Sequence, residues 1–200
     1  MRSLSEEKRR QIVSGAREVF RTEGYGNASM GMIARQAGVS KGTLYNYFQS
    51  KDELFVEHVH ERLSEYTQPI FHLPKERALR ETLQAVGEAY VQLITSSDAE
   101  EIYRTAIAEA RRFHAVAAAL YETGPARAIE RLAEYLDACE RLGSIRLHDH
   151  SPREAASMFL TLIRDEHLLR RLLAQPNALR GRDIEGYVES KVTFFLRAIM

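Results

Sequence analysis

Apolar residues recur at three- and four-residue spacing through nearly the whole chain, and no stretch alternates apolar with polar residues between hairpin turn signals. The pattern predicts an all-α fold. A first helix spans about Ser5–Thr22, with Ile12, Ala16, Val19 and Phe20 on one stripe, and Gly24 and Gly26 stop it. A short second helix runs from Ser29 to about Gln36, turning Met30, Ile33 and Ala34 inward, and Gly38 breaks it. A third covers Ser40 to about Phe48, and Ser50-Lys51-Asp52-Glu53 reads as an S-x-x-E capping box opening a fourth. Beyond Glu61 the elements lengthen, with Pro69 and Pro74 marking the change. Helices are expected at about 75–96, 98–112, 125–142, 152–174 and 182–199, with a short helical turn near 114–121. Their punctuation is Pro125 in a first turn, Gly143, the cap Ser151-Pro152-Arg153-Glu154, and the Pro176–Gly181 loop. The change in helix length divides the chain into residues 1–50 and 51–200.

Composition narrows the class. With 200 residues, 44% of them hydrophobic and 28% charged, the chain is long enough to bury a core. No run of about 18 apolar residues appears, and Met1–Arg10 is too charged for the apolar centre of a signal peptide. A soluble, cytoplasmic protein without a membrane segment is expected. The single cysteine, Cys139, rules out an intramolecular disulfide and cannot build a thiolate metal cage. The pairs His58/His60 and His148/His150 stand two apart, which on a helix points them in different directions; on a loop, where the second pair is expected, two such histidines could share a metal, but no metal site is assigned to either pair. No serine-histidine-acid set, glycine-rich phosphate loop or paired-carboxylate pattern is visible; neither an enzyme nor a cofactor is expected.

Charge changes the picture when it is divided along the chain. The whole is neutral, with 28 Lys/Arg against 28 Asp/Glu, but residues 1–52 carry nine bases and five acids, a net +4 balanced by −4 in the remainder. A basic segment on an acidic body suits a local polyanion site.

The basic segment also holds the most specific motif. Two short helices joined by a tight glycine-containing turn at Gly38 form a helix-turn-helix, whose second helix fits the DNA major groove. Ser40 caps that helix, leaving its first N–H groups and positive end directed outward, where a phosphate can sit. Leu44 and Phe48, four apart, anchor the inner face on Ile33, Ala37 and Phe20. Lys41 and Tyr45 then share an exposed face, and Gly42 lets the backbone approach DNA. Lys41 can reach guanine O6 or N7, Thr43 can offer a methyl or hydroxyl to a base edge, and Asn46 can pair with adenine. Tyr45, Tyr47 and Lys51 are assigned to phosphates, which position a protein without specifying sequence.

The run Ala37-Gly38-Val39-Ser40-Lys41-Gly42-Thr43-Leu44-Tyr45-Asn46-Tyr47-Phe48 with Lys51 closely resembles the signature of the tetracycline-repressor (TetR) family. The likeness covers about residues 9–55, including Ala16, Phe20, Gly24, Tyr25 and Leu54. It implies a dimeric one-component regulator, usually a repressor. Helices one to three would bind a double-stranded operator, and the rest would bind a small-molecule inducer and the partner subunit. One position departs from the family pattern: Gly31, between Met30 and Met32, stands where family members often place a polar or basic side chain. Base reading is therefore assigned to Lys41–Tyr47, and Ser29, at the start of helix two, to a phosphate.

The C-terminal part is less explicit. Its segment Glu101–Phe113 resembles the AefR-like subgroup of family C-terminal domains. The last two helices resemble the family's dimerising pair, and their apolar stripes are broader than one core requires. Phe159, Leu162, Leu168, Leu172, Tyr187, Val188, Val192 and Phe195 are the residues assigned to a homodimer interface. An effector pocket among helices five to eight is assigned Tyr90, Ile94, Tyr103, Ile107, Phe113, Leu120, Tyr121, Phe159 and Ile163, with Arg104 and His167 as polar handles. Helix four, through Leu54, Phe55 and Val59, is expected to join sensing to DNA binding. The competing expectation is a DNA-binding or assembly module that responds to no ligand.

Overall fold

Local sequence signals account for the start of each N-terminal helix. In the computed structural model, which describes residues 5–71, 78–175, 179 and 184–200, Ser5 caps α1 (Glu6–Asn27), Ser29 caps α2 (Met30–Gln36) and Ser40 caps α3 (Lys41–Tyr47). In each case the hydroxyl accepts from the backbone N–H three residues on, satisfying a donor with no partner inside the helix. Ser50 does the same for α4 (Lys51–Phe71), accepting from the Glu53 amide at 3.1 Å. The Glu53 carboxylate reaches past it to the amide of Gln49, so the reciprocal bond of the expected capping box is displaced by one residue.

The described residues are all-helical, as the periodicity predicts. After α4 come α5 (Leu79–Thr95), α6 (Ser97–Glu109), α7 (His114–Tyr121), a π-helical turn (Glu122–Ala126), α8 (Arg127–Arg141), α9 (Pro152–Arg164), α10 (His167–Leu172) and α11 (Ile184–Ile199). Four boundaries differ from the pattern. Gly24 does interrupt α1, with φ 75°, but a further helical turn follows before Ala28. Helix α4 runs on through Pro69. Pro125 lies inside the π-turn, before α8 begins. The helix expected over 152–174 is two, broken at Asp165, whose φ of 45° no α-helix accommodates. Pro74, the start of the fifth helix at 75–77, the Pro176–Gly181 loop apart from Leu179, and residues 182–183 lie outside the described residues.

The chain forms two units, passing from one to the other within α4, within α6 and again after α7. One comprises residues 1–62 with 102–121, the other residues 63–101 with 122–200. In the first, Ile12, Val13, Ala16, Val19 and Phe20 of α1 share a core with Ile33, Ala34, Leu44 and Phe48 and with Leu54, Phe55 and Val59 of α4. In the second, α5 is buried on most of its circumference, packing on α9, α10 and α11, while α8 packs on α9. Gly87 makes the α5–α11 approach possible, because a Cβ there would lie 2.5 Å from Val188 Cγ1 and 3.1 Å from Ile163 Cδ1. Ser151 and Glu154 form the expected capping box at α9. Gly143, at φ 72°, ends α8 in a left-handed cap that returns the Ser144 amide to Cys139 O.

Candidate nucleic-acid interface

The turn between α2 and α3 is closed by local bonds. Gly38 takes φ 63°, and the Val39 amide donates back to Ala34 O at 3.0 Å. Gln11 of α1 donates its side-chain amide to Ala37 O at 2.6 Å, tying the turn to the first helix. With Leu44 and Phe48 buried, α3 can face outward in one orientation only. Lys41, Gly42, Tyr45 and Asn46 are exposed, Tyr45 to 46%, and Thr43 and Tyr47 are half-buried. The arrangement presents one lysine, one amide, two phenols and a bare glycine backbone on a single helix, the mixture that major-groove edges and phosphates call for.

Several of these side chains have intramolecular partners as well. The Thr43 hydroxyl lies 2.8 Å from Ser40 Oγ. The Tyr47 hydroxyl accepts from the Ser5 amide at 2.9 Å, bracing α1 against the end of α3. Lys51 differs most from its assigned role as a phosphate contact. Its ammonium donates to the carbonyls of Tyr25 at 2.7 Å and Ala28 at 3.1 Å, with a longer bond to Gly26, and so closes the C-terminal end of α1. It lies 4.4 Å from the Tyr25 ring centroid and 4.9 Å from that of Phe113. Burial pulls its pKa down, opposed by Asp52 and Glu109. The sequence marks the lysine but not this use of it, because the carbonyls it meets are freed by the break at Gly24, more than twenty residues away.

Tyr25 is the hub of the same cluster. Its hydroxyl donates to Asp52, and burial followed by that carboxylate raises its pKa well above the usual phenol range. Its ring meets Phe20, Phe55 and Phe113 at centroid distances of 5.4, 5.2 and 5.2 Å. Neither Tyr25, as an organising group, nor Arg9, which pairs with Glu57 and lies 4.9 Å above the Phe48 ring, was marked as functional by pattern alone.

The residues assigned to an effector pocket divide between the two units. Tyr90, Ile94, Phe159, Ile163 and His167 are buried in the second. His167 lies 5.0 Å from the Tyr187 ring, neither ring nitrogen has a hydrogen-bond partner among the described residues, and burial lowers its pKa against the opposing charges of Asp165 and Glu166. Tyr103, Arg104, Ile107, Phe113, Leu120 and Tyr121 belong to the first unit. Ile107 and Tyr121 are 60% and 52% exposed and Arg104 is exposed, so these three do not line an enclosed cavity of that unit, while Phe113 packs on Tyr25. Helical spacing identifies an apolar stripe without saying which element covers it.

The dimerisation assignment needs a similar correction. Phe159, Val188, Val192 and Phe195 are buried inside the subunit's own core, the two phenylalanine rings 5.0 Å apart. Leu162, Leu168, Leu172 and Tyr187 are half-buried, and Tyr187 donates its hydroxyl to Ile163 O at 3.0 Å. The open faces of α9 and α11 carry Met158 and Phe194 instead, Phe194 being 67% exposed. The stripe is broad, and its inner part closes on α5. Among the described residues no helix is long and apolar enough to cross a membrane.

A helix-turn-helix on a three-helix core, continued by a helical bundle, defines a DNA-binding transcriptional regulator rather than an enzyme. The description "Bacterial regulatory proteins, tetR family" matches residues 12–58, and "AefR-like transcriptional repressor, C-terminal domain" matches residues 81–198, so the chain belongs to the TetR family. It is similar to the flavonoid-responsive regulator FrrA, with 31% identity, 98% of each chain covered and a TM-score of 0.83. A TetR-family regulator from Mesorhizobium loti is 26% identical over 98% of each chain, with a TM-score of 0.80. The fatty acid metabolism regulator protein of Bacillus subtilis is 32% identical over 85 residues, 42% of this chain and 44% of that protein. Matches to the curated relatives span less than half of those proteins' lengths.

Proposed function

We propose that this chain is a ligand-responsive repressor that binds a palindromic operator as a homodimer and leaves it when a small molecule binds residues 51–200. The observation that carries the reading is α3, which buries Leu44 and Phe48 and offers Lys41, Thr43, Tyr45 and Asn46 outward from a braced turn. Dimerisation is assigned to the open α9 and α11 faces at Met158 and Phe194, and a two-fold mate implies half-sites about 34–36 Å apart or somewhat more. The flavonoid response named for FrrA supports an effector function here, and the bacterial cytoplasm is the proposed location. Signal transfer is assigned to the contact of residues 102–121 with the DNA-binding helices. Phe113 lies against Tyr25 and Lys51, so displacing it disturbs the end of α1 and the start of α4 together. The effector must bind more tightly to the conformation that fits DNA poorly, since only differential affinity shifts such an equilibrium.

Selection of bound duplexes from a random pool, with light scattering on the same protein, tests the reading. A single palindrome recovered by a dimer supports it and supplies a probe for effectors that release DNA. Binding that is weak, salt-sensitive and indifferent to sequence overturns it. A palindrome that no effector releases leaves a DNA-binding module without a sensor.

A further inference from the structure

Gly31 is the second residue of α2, seven residues long, and has an ordinary helical backbone. Glycine inside a helix lowers its stability relative to alanine, so its presence calls for a reason. Packing of the fold supplies none. A Cβ built at Gly31 would meet no core atom; its near neighbours are Lys41 Cε at 3.1 Å, Lys41 Nζ at 3.4 Å and, more distantly, Ser29 Oγ at 4.0 Å. The contrast with Gly15 is direct, since a Cβ there would strike the Ala37 backbone at 2.8 Å. What closes on Gly31 is the end of one flexible, solvent-exposed side chain, which leaves α3 at its first residue and lies across α2.

We propose that Gly31 is a positioning residue for sequence recognition: its missing side chain is the bed on which Lys41 lies, and this bed sets the direction from which the Lys41 ammonium approaches the operator. Lysine carries its charge on four rotatable carbons, and holding it against α2 removes much of that freedom before DNA arrives. A methyl group at residue 31 would meet Lys41 Cε at 3.1 Å, inside ordinary contact distance, so the end of the lysine has to shift by a few tenths of an ångström and its line of approach changes. The fold has no need to move, because the displaced atoms are the far end of a side chain. Residue 31 therefore controls base preference at the Lys41 contact without touching a base. The inference rests on the reading of α3 as the recognition helix.

A double-mutant cycle on the full-length protein tests it: wild type, Gly31→Ala, Lys41→Ala and the double variant, measured by fluorescence anisotropy on the selected operator and on its single-base-pair variants. Gly31→Ala is expected to keep the wild-type melting temperature or exceed it. It should lose roughly tenfold in operator affinity, with discrimination altered at one base pair per half-site. In the Lys41→Ala background the same change should alter affinity less than twofold. An equal loss in both backgrounds overturns the proposal and shows that the glycine serves close approach of the α2 backbone to DNA. Unchanged affinity and base preference in Gly31→Ala overturns it as well. If the wild type selects no sequence, the recognition-helix reading itself has failed.

Discussion

Gly15 gives the most direct test of how α1 holds the helix-turn-helix in place. It is buried in α1 opposite Ala37, and a Cβ at this position would lie 2.7 Å from Ala37 Cβ, 2.8 Å from its N and 2.9 Å from its Cα. Those atoms cannot rotate away. The Ala37 amide donates to Ile33 O at 2.8 Å, and its carbonyl accepts from Gln11 at 2.6 Å. Reaching ordinary contact at 3.4 Å requires α1 and the α2–α3 turn to separate by about 0.7 Å. Overpacking a core costs about 1–3 kcal/mol, and contact with backbone places Gly15→Ala near the upper end. Better helix propensity returns roughly 0.5–1 kcal/mol. The net expectation is a loss of about 2 kcal/mol, some thirtyfold in the folding equilibrium of this unit. Native-state hydrogen exchange of the α1 and α2 amides reports that unit separately from the rest of the chain. Operator affinity should fall with it, because α3 moves with the turn. A Gly15→Ala protein as stable as the wild type, or more so, would refute the reasoning, and the opposite result expected at Gly31 makes the pair informative together.

Three further outcomes follow from side-chain environments. His58 is buried beside Phe20 and Phe55, and desolvation, then the charges of Arg62 and Arg17, brings its pKa down to about 4 from 6.5. The unfolded chain therefore binds more protons between those values, and stability should fall as pH drops through this window, by about 2 kcal/mol at pH 5. Urea midpoints against pH should show this slope in the wild type and not in His58→Leu; equal slopes would contradict it. Lys51→Ala removes three carbonyl partners and two ring contacts, and should cost about 2 kcal/mol of stability. Unchanged stability with a shallower salt dependence of DNA binding would return Lys51 to the phosphate role. Phe194→Glu places a charge on the open face of α11 without disturbing the core, and light scattering should find monomers with weakened operator binding; an intact dimer at micromolar concentration would move the interface elsewhere.

Features governed by neighbours in the chain were legible in the sequence. Caps at Ser40, Ser50 and Ser151, the turn at Gly38 and the helix stop at Gly143 depend on residues within about five positions of one another. Hydrogen bonding and backbone sterics over that range are local, so residue type and spacing suffice to determine them. The periodicity likewise determined the all-helical class and which face of α3 is apolar. Tertiary structure alone decided which element covers each apolar stripe. Phe159, Val188, Val192 and Phe195 share a periodicity that suits a partner subunit or the chain's own core; the fold buries all four, with Val188 set against α5 at Gly87. Phe113 follows a helix far along the chain yet packs on Tyr25, and Lys51 donates to carbonyls at the end of α1 that lie more than twenty residues before it. Burial is a property of surfaces brought together over long sequence separations, and a periodic pattern records that a face is apolar without recording what it meets.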